Sequence, residues 1–198
     1  MSEERQSPKR RAILDAATAA FRDEGYEATS MDRIAEWAGV SKRTIYNHFG
    51  SKEVLFRAVV DQLIVHTKSL KCVDWDAERS LEDQLADFVR AKLVVATDPA
   101  WSGLLRVVLG VFIHNPALVG ETTLRTAHGE DSLVRWLEAA HAAGRMKVDV
   151  PSLAGTIFWA MVTGALFWPR VFGLPMTEAE TELITAELIE TFLSRYRA

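Results

Sequence analysis

Apolar positions along this chain recur every three to four residues, which is the period of an α-helix. We find no run with the two-residue alternation of a β-strand. The first predicted helix begins after Ser7-Pro8 and ends at Gly25. Its apolar face consists of Ala12, Ile13, Ala16, Ala20 and Phe21. The pattern therefore predicts an all-α protein.

Cap residues divide the first third of the chain into short helices. Thr29 or Ser30 caps the second helix, which ends near Gly39. Ser41 caps the third, and Ser51 caps a fourth that extends to about residue 70. Residues 71–78 form a joint, after which longer helices are predicted. Their ranges are 80–96, 99–114, 117–143, 150–168 and 178–196.

This change of character predicts two parts. Residues 1–52 form a helix-turn-helix domain, and the fourth helix, 51–70, links it to the rest. Residues 53–198 form a helical bundle for ligand binding and dimerisation. The two parts also differ in charge: residues 1–52 carry a net charge of +1, and residues 53–198 carry a net charge of −5. An anionic partner is therefore expected at the first part.

The segment SKRTIYNHFG, residues 41–50, is a helix too short to be stable alone in water. On a helical wheel Ile45 and Phe49 share one side, and Arg43 and Asn47 lie opposite. We expect the two apolar residues to dock on residues 31–39. The outward Arg and Asn side chains suit base edges, whereas Tyr and Thr hydroxyls and Lys suit phosphates.

Both the spacing and the residue types around this segment match a known family. The matching residues are Ile13, Ala16, Phe21, Gly25-Tyr26-Glu27-Ala28-Thr29, Ile34-Ala35, Ala38-Gly39-Val40-Ser41, Thr44-Ile45-Tyr46, His48-Phe49 and Ser51-Lys52-Glu53. Residues 8–56 thus resemble the DNA-binding domain of TetR-family transcriptional regulators. The resemblance covers a quarter of the chain, and it includes the helices before and after the helix-turn-helix.

The resemblance implies roles for individual side chains. Those expected in the major groove are Lys42, Arg43, Tyr46 and Asn47. Those expected at phosphates are Thr44, Tyr46, His48 and Lys52. Arg33 would add a phosphate or base contact. The basic arm, which consists of Arg5, Lys9, Arg10 and Arg11, would follow the DNA backbone or enter the minor groove.

Apolar surface in the last two predicted helices exceeds what one bundle face requires, and this favours a two-fold dimer. The residues expected at its interface are Trp168, Ile184, Leu188 and Phe192. A dimer would place two reading helices about 34–36 Å apart on a palindromic operator. The TetR resemblance implies the same arrangement.

The resemblance also implies an inducer pocket in the bundle. Its expected lining is Phe88, Trp101, Leu105, Phe112, Trp136, Phe158 and Trp159, although such residues are more often ordinary core. Few charges lie on these helices, so an uncharged or amphipathic lipophilic ligand is expected, with Arg106 or His114 as its polar contact. The expected function is a dimeric repressor that the ligand releases from its operator. A ligand-independent repressor or an activator remains open.

Composition limits the alternatives. Hydrophobic residues make up 48% of the 198 residues, the net charge is −4, and Cys72 is the single cysteine. These values indicate a folded protein without an intrachain disulfide, and we expect it in the cytoplasm. The chain shows no catalytic motif and no metal-ligand spacing, so neither an enzyme nor a cofactor is expected. Residues 150–169 are uncharged and of membrane-spanning length, but two threonines and the flanking prolines favour a buried helix.

Overall fold

The computed structural model describes residues 7–68, 73–114 and 130–198. The regular elements in this part of the chain are helical, and an isolated bridge between Met146 and Arg197 is the one β-type contact within it. The all-α prediction is confirmed. Arg5 of the basic arm, Cys72 and residues 117–129 of the helix predicted over 117–143 lie outside the described residues.

Helices follow one another along the chain with short connections. They are α1 (Pro8–Glu24), α2 (Met31–Trp37), α3 (Lys42–Phe49), α4 (Lys52–Lys68), α5 (Leu81–Thr97), α6 (Pro99–His114), α7 (Glu130–Ala142), α8 (Pro151–Val162), α9 (Trp168–Val171) and α10 (Glu178–Tyr196). A π-helical turn, Thr163–Phe167, joins α8 to α9.

The caps explain why the boundaries of these helices could be predicted closely. The Ser41 hydroxyl accepts the backbone N–H of Thr44 at 3.1 Å, and Thr177 forms a reciprocal capping box with Glu180. At the start of α2 the capping residue is Ser30 rather than Thr29. The Thr29 side chain is buried, and its hydroxyl shares its proton between the carbonyls of Gly25 at 2.7 Å and Ala20 at 3.2 Å.

The chain divides into two compact units. One contains the described residues 7–65 and 103–114, and the other contains 66–68, 73–102 and 130–198. This division differs from the predicted boundary at residue 52, because the first half of α4 is part of the first core. The ring of Phe56 lies 5.5 Å from that of Phe21 and 4.8 Å from that of Tyr26.

The second unit packs α5, α7, α8 and α10 around an aromatic core. A fully buried glutamine, Gln84, lies beside it. The Oε1 atom of Gln84 accepts the indole N–H of Trp136 and the backbone N–H of Asp76, both at 2.9 Å. Its Nε2 atom donates to the Asp76 carbonyl at 2.8 Å. Sequence reasoning missed this residue, since a glutamine in an amphipathic helix normally faces solvent.

The helical run Pro151–Val171 is long and apolar enough to span a membrane, and it is the one such helix in the described part of the chain. Its Ala154, Phe158 and Val162 are buried in the second unit. Leu153 and Ile157, on the other side, are 56% and 38% exposed. One face therefore belongs to the core of the unit, and the other is apolar surface that the described residues do not cover.

Replacement of Thr29 by valine tests the polar contact between the end of α1 and the start of α2. Valine retains the shape but removes the hydroxyl that donates to two carbonyls, so we expect the free energy of unfolding to fall by about 1–2 kcal/mol in urea denaturation. Thr156→Val is the matched control. Thr156 is exposed, and its hydroxyl donates to its own helix at Ser152. Equal effects of both substitutions would contradict a structural role for the buried hydroxyl.

Candidate nucleic-acid interface

Helix α3 is held in the first unit by two buried side chains. Ile45 is 0% and Phe49 is 4% exposed, and α3 packs against α2, in which Ile34 and Ala35 are also buried. Gly39 has a φ of 63°, which a residue with a Cβ atom rarely adopts, and the N–H of Val40 donates to the Ala35 carbonyl at 3.0 Å. The predicted docking of α3 through Ile45 and Phe49 is confirmed.

The opposite face of α3 is open to solvent. Exposed side chains on this face are Lys42, Arg43, Tyr46, Asn47 and His48. Thr44 is half-buried, and its hydroxyl forms a 2.8 Å hydrogen bond with that of the capping Ser41. The helix therefore presents a continuous polar surface of donors and acceptors, and one of the predicted residues lies at its edge.

Lys42 is paired within the chain. Its Nζ atom lies 2.5 Å from a carboxylate oxygen of Asp32 in the first turn of α2, and this hydrogen bond raises the pKa of Lys42. Both side chains are exposed, so the pair contributes little to stability. It does fix the position of the lysine at the beginning of α3.

Arg33 is held by carboxylates on both sides. Its guanidinium donates to Glu24 at 3.2 Å and to Glu36 at 3.3 Å, and these contacts raise the pKa of Arg33. The same group lies 5.2 Å from the centroid of the Trp37 ring. Arg33 therefore connects the end of α1 to α2 in this structure.

Lys52 at the start of α4 is directed to the turn between α1 and α2. Its ammonium donates to the carbonyls of Tyr26 at 2.9 Å and Thr29 at 3.2 Å, and it lies 4.3 Å from the centroid of the Tyr26 ring. An ammonium has three N–H donors, so one remains for another acceptor. The sequence motif gave no signal of these contacts, because the carbonyls lie more than twenty residues earlier in the chain.

Arg43 differs from its neighbours. Within residues 7–68, 73–114 and 130–198, no carboxylate pairs with its exposed guanidinium. Arg10, which belongs to the predicted basic arm, has its guanidinium carbon 5.1 Å from the centroid of the Phe49 ring. On the outward face of α3, Arg43 is therefore the cation that a new acceptor can engage without displacing a carboxylate.

Comparison with known proteins agrees with this geometry. A family model described as bacterial regulatory proteins, tetR family, matches residues 13–59, and one described as AefR-like transcriptional repressor, C-terminal domain, matches residues 83–198. The Escherichia coli K12 regulator RutR is 37% identical over 188 residues, which are 93% of this chain and 86% of RutR. The chain belongs to the TetR family of transcriptional regulators.

Further relatives support the assignment. A TetR-family regulator from Pseudomonas syringae has a crystal structure that matches with a TM-score of 0.77 and 35% identity, over 96% of this chain and 98% of that one. The Escherichia coli K12 repressor ComR is 41% identical over 87 residues, which are 41% of this chain and 40% of ComR. The N-terminal part of this TetR-family chain is accordingly a DNA-binding domain, and the protein is a regulator rather than an enzyme.

Four of the predicted ligand-site residues of this TetR-family chain lie in the core of the second unit. Phe88, Trp136, Phe158 and Trp159 pack edge to face in the core of the second unit, with neighbouring ring centroids 5.4–6.2 Å apart. Trp101, Leu105 and Phe112 are half-buried on α6, and the boundary between the units falls after Ser102. These four aromatic residues thus belong to the core of the second unit, which the sequence had left open as the alternative to lining a pocket.

A groove in the second unit has a volume of about 1170 Å³ and runs between α5 and α10. Its apolar floor consists of Ala86, Val89, Leu93, Ile189 and Leu193. None of the seven predicted ligand-site residues lines it. Charged side chains of both signs surround the floor, Arg90 and Glu190 among them. The groove therefore has no single charge preference that would identify an occupant.

The predicted dimer residues differ in exposure. Trp168, Ile184 and Leu188 are half-buried, and the last two pack against the core of the second unit. Phe192 is only 2% exposed, and its ring lies 5.2 Å from that of Phe158 and 4.8 Å from that of Tyr196. Because Phe192 fills the core of its own bundle, it has almost no surface to offer a second copy.

Lys52→Met tests the contacts of the ammonium within the first unit. Methionine keeps the aliphatic stem but removes both hydrogen bonds, so the free energy of unfolding should fall by about 1–2 kcal/mol. Arg57→Met is the control, because Arg57 is an exposed cation on the same helix. Urea denaturation of both variants checks the difference. A Lys52 variant as stable as the control would show that these contacts add no net stability.

Proposed function

We propose that the protein is a dimeric transcriptional repressor, and that a small ligand bound in its second unit releases it from a palindromic operator. The observation that carries the proposal is the exposed polar face of α3 on a buried apolar seat. A helix fixed in this way can enter a major groove without a change in its own structure. Repression agrees with the description of the matching C-terminal family and with the name of ComR.

Sequence is read, in this proposal, by Arg43 and Asn47. An arginine pairs in a bidentate manner with guanine, and an asparagine pairs in the same way with adenine. Lys42 and Tyr46 lie beside them at the groove. Phosphate contacts come from three residues of α3 and one each of α2 and α4: Thr44, Tyr46, His48, Arg33 and Lys52. Such contacts position the domain and carry no sequence information.

A second copy is proposed to bind at the exposed side of α8. Leu153, Ile157 and Ala160 follow one another at helical spacing, and each is exposed. Exposed apolar stripes of this kind are typical of interfaces between helical bundles. In a two-fold dimer the same stripe serves both copies, and the two α3 helices can read successive major grooves about 34–36 Å apart.

Regulation follows from a difference in affinity. A ligand that binds one conformation of the second unit better than another shifts the population toward it. If that conformation separates the reading helices differently, DNA affinity falls, and couplings of about 1–3 kcal/mol correspond to roughly 5–150-fold. We place the protein in the cytoplasm, where such an operator would be found.

Arg43→Ala tests the reading role. Loss of a bidentate contact should cost about 1–3 kcal/mol of binding at one base pair and relax preference there alone. The operator is first selected from a random DNA library with the unaltered protein and then measured by fluorescence anisotropy. Arg135→Ala, which removes an exposed cation of α7, is the control. Uniform weakening across all sequences would assign Arg43 to the phosphates instead.

Leu153→Glu tests the dimer. A charge in the middle of an apolar interface would be desolvated without a partner, so sedimentation velocity should show monomers at micromolar concentration. Val94→Glu is the matched control, since Val94 on α5 is 55% exposed, against 56% for Leu153. A dimer that persists in Leu153→Glu, with sedimentation equal to that of the control, would exclude this face of α8.

A further inference from the structure

Lys92 of α5 is a cation among aromatic rings. Its Nζ atom lies 4.9 Å from the centroid of the Phe167 ring and 5.5 Å from that of Trp159. The side chain is partly buried, and this burial lowers the pKa of Lys92. Within the described part of the chain, no carboxylate and no hydrogen-bond acceptor engages the ammonium. Among the described residues, the ammonium is thus contacted by the two rings and remains without a hydrogen-bond partner.

Trp159, which lies next to Lys92, also has a hydrogen-bond donor without an acceptor. Its indole Nε1 atom is buried and has no acceptor among the described residues. The neighbouring Trp136 is also buried in this aromatic core, yet its indole N–H donates to Gln84 at 2.9 Å. The chain therefore supplies an acceptor for one of these two indoles and leaves the other without one.

A buried indole N–H without an acceptor is unfavourable, because it has lost its hydration without replacement, and the partly buried Lys92 ammonium has lost part of its own hydration. An acceptor bound between them would remove both penalties. The Lys92 Nζ atom lies 5.5 Å from the centroid of the ring that carries the unpaired indole N–H, so the two donors are neighbours. A carboxylate has two acceptor oxygens and can accept hydrogen bonds from two neighbouring donors at once.

We propose that Lys92 and the indole N–H of Trp159 bind the head group of an organic carboxylate. One cation and one neutral donor match a monoanion, whose apolar body would lie on the rings of Phe88 and Phe167. This inference rests on the proposed ligand-responsive function and specifies its ligand. Among the lipophilic ligands that the sequence suggested, it selects an amphipathic anion, and it replaces Arg106 and His114 as the polar contact.

Calorimetric titration of the full chain without DNA tests the head-group preference. The probes are octanoate and 4-phenylbutanoate, each compared with the alcohol of the same skeleton. We expect the acids to bind at least about tenfold more tightly than the alcohols, since a hydrogen bond to a charged group accounts for such a ratio. If neither acid binds more tightly than its alcohol, the inference is overturned.

Two variants assign the preference to these donors. Lys92→Met should abolish it, and Trp159→Phe, which removes only the N–H and part of the ring, should weaken acid binding about threefold to tenfold. Lys147→Met is the control, because Lys147 is an exposed lysine of the same unit. A preference that survives Lys92→Met would overturn the assignment.

Thermal unfolding provides a second readout that needs no ligand. Removal of a partly buried cation that lacks a hydrogen-bond partner should raise the Tm of Lys92→Met by about 2–4 °C, with no change in Lys147→Met. A lower Tm in Lys92→Met would mean that the rings alone satisfy the ammonium, and it would count against a binding role.

DNA release is measured separately, so that the two proposals can fail independently. If the acids bind in a Lys92-dependent manner but leave the protein on its operator, the carboxylate site stands and the regulatory proposal fails. If the alcohols and the acids release DNA equally, and both still do so from the Lys92→Met variant, regulation stands and the carboxylate site is wrong.

Discussion

Burial of Ile45 and Phe49 is the constraint on which the DNA-binding unit depends. An eight-residue helix has too few hydrogen bonds to offset the cost of its nucleation, so α3 exists only because these two side chains leave water. The same burial fixes the rotation of α3 about its axis. With one side committed to the core, Arg43 and Asn47 must point away from it, and the exposed face is a direct result of the packing.

Much of this could be derived from the sequence because it depends on neighbouring residues. Serine caps, the turn at Gly39 and the helical spacing of Ile45 and Phe49 are local features. The position of Lys52 could not be derived, since its acceptors are backbone carbonyls of Tyr26 and Thr29. A carbonyl is present at every residue, so no pattern of side chains indicates which one a lysine will contact.

The second unit shows the same limit for aromatic residues. A stripe of Phe and Trp residues looks the same in sequence whether it lines a pocket or fills a core. Which of the two it does depends on the residues that pack around it in the folded protein. Phe192 was expected at a dimer interface, but it lies between Phe158 and Tyr196. Gln84 accepts the indole N–H of Trp136, whereas none of the described residues accepts the indole N–H of Trp159. This difference depends on the three-dimensional neighbours of each ring and cannot be read from the sequence.

The ion pair between Lys42 and Asp32 has a consequence for the energetics of association with a duplex. In the proposed complex, an acceptor on DNA that binds the Lys42 ammonium must first replace the Asp32 carboxylate, so one pair is exchanged for another. The carboxylate that is left behind then faces the negatively charged backbone. Under the proposed docking, the exchange adds little net attraction toward DNA of arbitrary sequence, and Asp32 would compete with the polyanion for Lys42 and limit non-specific binding.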